Sequence, residues 1–168
     1  MKKMLLIITS LAIFGTLFAQ NDKAFLHNGK KVEVKIIKVA EFTITFSYPN
    51  ETAEQVVSKY MVEKIEYASG RTEEITEKIV VSGKEDWEKV IVLEDKAATV
   101  GLVKKDEVRG KTSGLMSFNT AGSADKKSMK KLKEEAAEMG CPFVLITADK
   151  DNQFTAQSIK KAIAYNYK

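Results

Sequence analysis

An amphipathic helix that runs straight into a buried strand is the strongest fold signal in this chain, and it lies between Asp125 and Ala148. Met129, Leu132, Ala136 and Met139 recur at spacings of three and four, which lays them along one stripe of a helix. Asp125 suits an N-cap, Gly140 suits the left-handed residue that ends a helix, and Pro142 stands just beyond. The expected helix therefore covers residues 125–139, and Phe143–Ala148 is expected as the strand after it. Its charges oppose the helix dipole, with Lys126, Lys127, Lys130, Lys131 and Lys133 early and Glu134, Glu135 and Glu138 late. Such a helix is poor in isolation and depends on burying its stripe against a sheet.

The rest of the chain supplies β-structure to be covered. Asn28-Gly29 is a strong tight-hairpin signal between Phe25–His27 and a strand over Lys31–Val39. Phe42, Ile44, Phe46 and Tyr48 alternate with Thr43, Thr45 and Ser47, the period-2 pattern of a half-buried strand that Pro49-Asn50 ends. Glu51–Glu63 suggests a loop, a short strand near Val56-Val57 and one helical turn near Met61. Ile65–Tyr67 and a return through Ile75 flank the turn at Ala68–Arg71. Beyond a boundary within Thr76–Asp86, where Ile79–Val81 can add a strand, Val90–Leu93 reads as a buried strand. Thr99–Thr112 reads as a long strand or hairpin arm and Ser113–Ala124 as a loop. Asp149–Asn152 suggests a polar turn before a last strand, or pair of strands, over Phe154–Tyr167.

These elements define an α+β class: an N-terminal antiparallel β module over residues 20–78, then an antiparallel sheet covered by one main helix over residues 79–168. Residues 1–19 read differently. Lys2-Lys3, the apolar run Met4–Phe18 and Ala19 before polar residues have the layout of a secretory signal peptide. The run is shorter than the roughly 20 residues that span a bilayer, and an uncleaved anchor is the alternative. The chain is accordingly expected to be exported: periplasmic, outer-membrane-associated or secreted. With one cysteine, Cys141, it has no intramolecular disulfide to lean on.

Two resemblances follow from the residues just described. Leu26, Asn28-Gly29, Val34–Val39, the Phe42–Tyr48 strand, then Val62, Ile65, Tyr67 and Gly70 resemble a small β module of exported Bacteroidetes proteins. That resemblance implies export and a β-fold, and no activity. Leu132 with Ala136, Gly140, Val144–Thr147 and Ala164-Tyr165 resemble the α+β envelope domains of YbjQ-type proteins and the Rcs-pathway stress-sensor lipoprotein. Cys141-Pro142 departs from that pattern, and the sensor's disulfide cysteines and lipid anchor have no counterpart here.

Candidate chemistry is sparse. The single histidine, His27, reads as a surface or strand-edge residue and cannot build a typical zinc site alone. Cys141, just past a helix C-terminus, reads as a buried small residue, with intermolecular pairing as the alternative. Gly110-Lys111-Thr112 imitates the end of a phosphate-binding loop, but Lys105 stands where a glycine is required. Asp149–Gln153 imitates a calcium loop, but Phe154 replaces its glycine and no glutamate closes it. Adjacent carboxylates such as Glu73-Glu74 point to opposite faces of a strand and do not pair.

No catalytic, cofactor-binding or metal-binding residue is expected, and no cofactor. The net charge is +4, half of it from Lys2 and Lys3, which argues against a nucleic-acid partner. What remains is an interaction patch of Lys126, Lys127, Lys130, Lys131 and Lys133, suited to an envelope protein, an anionic glycan or a membrane surface. The expected function is a non-enzymatic binding or interaction protein of the cell envelope. The alternative is a metal-independent hydrolase using carboxylates.

Overall fold

A computed structural model describes residues 21–112, 121–152 and 157–168. The signal-peptide reading and most of the expected loop at Ser113–Ala124 fall outside the described residues. The protein is α+β: a six-stranded antiparallel sheet, a second four-stranded sheet and one main helix.

The first sheet contains β1 (Asp22–Leu26), β2 (Lys31–Val39), β3 (Thr43–Ser47), β4 (Glu54–Ser58), β5 (Val62–Glu66) and β6 (Thr72–Glu74), in the order β4-β3-β2-β1-β5-β6. The β1–β2 turn is where Asn28-Gly29 placed it. Gly29 takes φ 82°, and the Leu26 amide donates to the Lys30 carbonyl at 2.9 Å. A three-residue turn, Lys59–Met61, joins β4 to a strand four places away, and Ser58 Oγ accepts the Tyr60 amide to start it. In a flat sheet that gap is about 19 Å, more than a 3-10 turn of this length spans at about 2 Å per residue. The sheet therefore curls, and its inner face gathers Ile44, Met61, Val62 and Ile65 into a core. Ala24, Val34 and Phe46 form a neighbouring cluster.

The second sheet contains β7 (Ile91–Leu93), β8 (Val103–Lys111), β9 (Phe143–Asn152) and β10 (Gln157–Asn166), ordered β7-β9-β10-β8. Its three long strands are antiparallel, but the β7 edge runs parallel to β9, with Ile91 opposite Phe143. The expected polar turn at Asp149–Asn152 is instead the end of β9, because β10 pairs with it as far as Gln157 opposite Asn152. Ile79–Val81 adds no strand; Ile79 and Val81 pack into the core from an irregular connection.

Helix α1 (Ala121–Glu138) covers β8 and β10. It begins earlier than expected, so Asp125 is an internal residue and not its N-cap. Its end is as expected. Gly140 takes φ 67°, its amide donates to the Ala137 carbonyl at 2.9 Å, and the Cys141 amide donates to the Ala136 carbonyl at 2.9 Å. Those paired bonds satisfy two carbonyls of the last turn. The buried stripe is rotated from the expected one: Ala124, Ser128, Leu132, Ala136 and Ala137 are buried, while Met139 is exposed. The cause is a close approach. A Cβ on Gly110 of β8 would lie 1.8 Å from the Ser128 carbonyl oxygen, so only small residues can face the sheet there.

The two sheets share an aromatic joint. Tyr60 packs on Phe143 at 5.1 Å between ring centroids, and Phe143 on Tyr167 at 5.2 Å. Tyr167 Oη accepts the Ile79 amide at 3.0 Å, tying the connecting segment to the last strand.

Candidate functional site

The expected lysine patch forms one wall of a groove. The 3-10 turn Lys84–Lys89 carries Trp87 against the outer side of α1, where the indole also packs on the main core. Trp87 and Met129 provide the apolar part of a groove of about 430 Å³, bordered by Lys126, Lys127, Lys130 and Lys133. Lys130 Nζ lies 4.9 Å from the Trp87 ring centre, a cation–π distance, and 3.8 Å from Glu134. Lys84 Nζ approaches Glu134 at 3.6 Å from the opposite side. Lys131 does not join the groove: its Nζ donates to the Lys111 carbonyl at 3.1 Å. The structure thus brings four of the five lysines together and adds Trp87, which no local pattern connects to a helix starting more than thirty residues later.

Asp125 also borders the groove, but its carboxylate is engaged below. Lys160 of β10 is 2% exposed, and its Nζ lies 2.5 Å from both Asp125 Oδ1 and Asp149 Oδ2. Burial acts to lower the Lys160 pKa, but the hydrogen bonds and charges of the two aspartates outweigh it and hold the ammonium above the usual lysine range. Beside it, Ser128 Oγ and Ser158 Oγ are 2.7 Å apart, and the Ser158 amide donates to Thr112 Oγ1 at 2.9 Å. Serine next to lysine suggests nucleophilic chemistry, but a base needs a lysine that gives up its proton readily. Here the lysine is held protonated, so the cluster works as a clamp between helix and sheet.

His27 departs from its expected surface position. It is 6% exposed, stacks edge-to-face on Tyr167 at 5.3 Å and bonds Thr76 Oγ1 through Nε2 at 2.9 Å. The Thr76 hydroxyl has one proton, which the Val62 carbonyl accepts at 2.8 Å, so Nε2–H of His27 is the donor in the other bond. Burial lowers the His27 pKa, opposed by the charge of Glu63, helped by that of Lys78 and opposed by a hydrogen bond to the Thr76 backbone. The fold thus favours neutral His27. Its contribution to stability is present above the unfolded histidine value of about 6.5 and is lost as pH falls through the lower folded one. Thermal melts between pH 8 and pH 5 should show this loss, and His27→Gln should flatten it; equal slopes would refute it.

Cys141 is fully buried, as expected, and burial raises its thiol pKa. Among the described residues, no group of three or more His, Cys, Asp or Glu side chains is arranged to hold a metal ion, and no helix is long and apolar enough to cross a membrane. No protein-family profile, curated protein or solved structure matches this chain.

Proposed function

We propose that the chain is an exported binding module of the cell envelope, and that it holds an anionic partner in the groove between Trp87 and α1. The observation that carries this reading is the convergence of Lys126, Lys127, Lys130 and Lys133 around an indole and a thioether. Apolar floor supplies desolvation energy and the ammoniums supply attraction and orientation, a combination suited to a partner with a negative rim and an apolar or flat centre. Among the described residues Asp125 is the acid that lines the groove, and it is already paired with Lys160; Glu134 lies beside Lys130 but is shared with Lys84. The layout of residues 1–19 and both resemblances favour export.

The hydrolase alternative has its best location in the groove beside His27, lined by Glu63, Glu74 and Glu77. All three carboxylates are solvent-exposed and His27 is held by Thr76, which does not favour acid–base work.

Trp87 is the only tryptophan, so its emission reports on the groove directly. Titration with heparin, a glutamate-rich peptide or phosphatidylglycerol vesicles should shift that emission for at least one probe. The triple variant Lys126→Glu, Lys130→Glu, Lys133→Glu should bind at least about tenfold more weakly, as loss of several phosphate- or carboxylate-facing charges implies. Unchanged emission with all three probes would remove the groove from consideration. For export, Edman sequencing of the protein from fractionated cells should begin at Gln20; a start at Met1 would contradict it.

A further inference from the structure

We propose that the curled six-stranded sheet contains a second binding site, a pocket for a single-chain hydrophobic carboxylate. The pocket measures about 280 Å³ and opens where the inner face of β1–β3 meets Met61 and Val62. Ala24, Val34, Phe46, Met61 and Val62 form its walls and are each no more than 8% exposed. The partly buried Leu26, Val32 and Val57 add to its lining, so the volume is an apolar recess beside the packed clusters, of the kind that takes a small ligand. With a methylene group taken as about the size of a water, roughly 30 Å³, the volume suits a chain of about ten carbons.

The rim determines the class of ligand. Lys30 and Lys168, both exposed, are the charged side chains that line the pocket, and no acidic side chain among the described residues does. A carboxylate head there meets opposite charge while its chain enters the apolar space; a neutral or cationic head gains nothing from the lysines. Gly101 lines the same pocket with φ 87°, and a Cβ there would lie 3.7 Å from Met61 Cγ. The backbone conformation demands glycine, and the missing side chain keeps that part of the wall low.

This site is separate from the lysine groove, and the test keeps them apart. A dansyl-labelled undecanoic acid should bind the full-length mature protein saturably, and monomeric decanoate should displace it. Decanol and decylamine should displace it more weakly, and Lys30→Glu should weaken decanoate by about fivefold, the scale of one exposed charge pair. Val32→Trp, which fills the pocket from its edge, should abolish probe binding, while Lys130→Glu should leave it unchanged. Should Val32→Trp not fold, methyl NMR of the wild type decides the matter: decanoate should move Val34, Val57, Val62 and Met61 and spare Val108 and Leu132. Displacement by decanol equal to that by decanoate, shifts centred on Trp87, or binding seen only with phosphatidylglycerol vesicles would each overturn the proposal.

Discussion

Replacing Gly110 with alanine is expected to be among the most damaging single-methyl additions this protein can receive. The new Cβ would sit 1.8 Å from the Ser128 carbonyl oxygen and 3.1 Å from Leu132 Cβ. The first neighbour is backbone in the middle of α1, so no side-chain rotation relieves the clash. The helix has to lift from β8, which separates Leu132 and Ala136 from Val108, Ala162 and Ala164. Overpacking of this kind costs typically 1–3 kcal/mol and sometimes more, and a backbone clash belongs at the top of that range, about 3 kcal/mol. Urea denaturation followed by circular dichroism measures it. Gly83→Ala is the control, because a Cβ at Gly83 meets nothing within 4 Å and its φ of 170° is ordinary extended backbone. Similar stability losses for the two variants would show that the helix does not approach β8 as described.

The second large effect concerns the Lys160 clamp, and its sign depends on which partner is removed. Asp125→Asn with Asp149→Asn leaves an ammonium that is 2% exposed without a counter-charge, and this is expected to cost about 3 kcal/mol or more. Lys160→Met removes the charge but keeps the volume. The two aspartates it abandons have side chains 42% and 46% exposed and can turn to water, so the cost should stay below about 1.5 kcal/mol. Alkaline titration adds a test of sign. The folded pKa of Lys160 is raised, so its contribution is complete below the unfolded value of about 10.4 and disappears as pH rises through the folded one. The wild type should therefore lose more stability than Lys160→Met on the alkaline side. If Lys160→Met proves the more damaging change, the clamp is held by packing of the lysine stem and not by charge.

These two sites illustrate how unevenly the fold could be read in advance. By its neighbours alone Gly110 is a false phosphate-loop glycine, and Asp125 an N-cap. Both belong to contacts between α1 and the second sheet, and nothing local distinguishes them. The helix stripe differs for the same reason: Met129 and Met139 fit the period, but where Gly110 meets Ser128 the helix lies close to β8, and the stripe that faces the sheet is Ala124, Ser128, Leu132 and Ala136. His27 sits at a strand end beside a turn, where exposure is the ordinary outcome, yet Tyr167 from the last residues of the chain covers it. The lysine groove was half legible. Its lysines stood together in sequence, whereas Trp87 arrives from a separate turn and Lys131 faces away.

Other features needed only their neighbours. Asn28-Gly29 and Ala68–Arg71 make turns because Gly29 and Gly70 adopt positive φ at little steric cost. The alternation from Phe42 to Tyr48 buries Ile44 and Phe46; it breaks at the end of β3, where Ser47 is buried and Tyr48, just beyond the strand, is exposed. Gly140 ends the helix for the reason glycine usually does. Turn geometry, strand period and helix termination are settled within a few residues, so the α+β class and the helix–glycine–strand unit are legible in the chain alone. The parallel β7 edge, the rotation of α1, the burial of Lys160 and His27 and the joining of Trp87 to the lysines were decided only by the tertiary structure. Each depends on two surfaces far apart in the chain coming into contact, and the steric and electrostatic terms of that contact exist only once they meet.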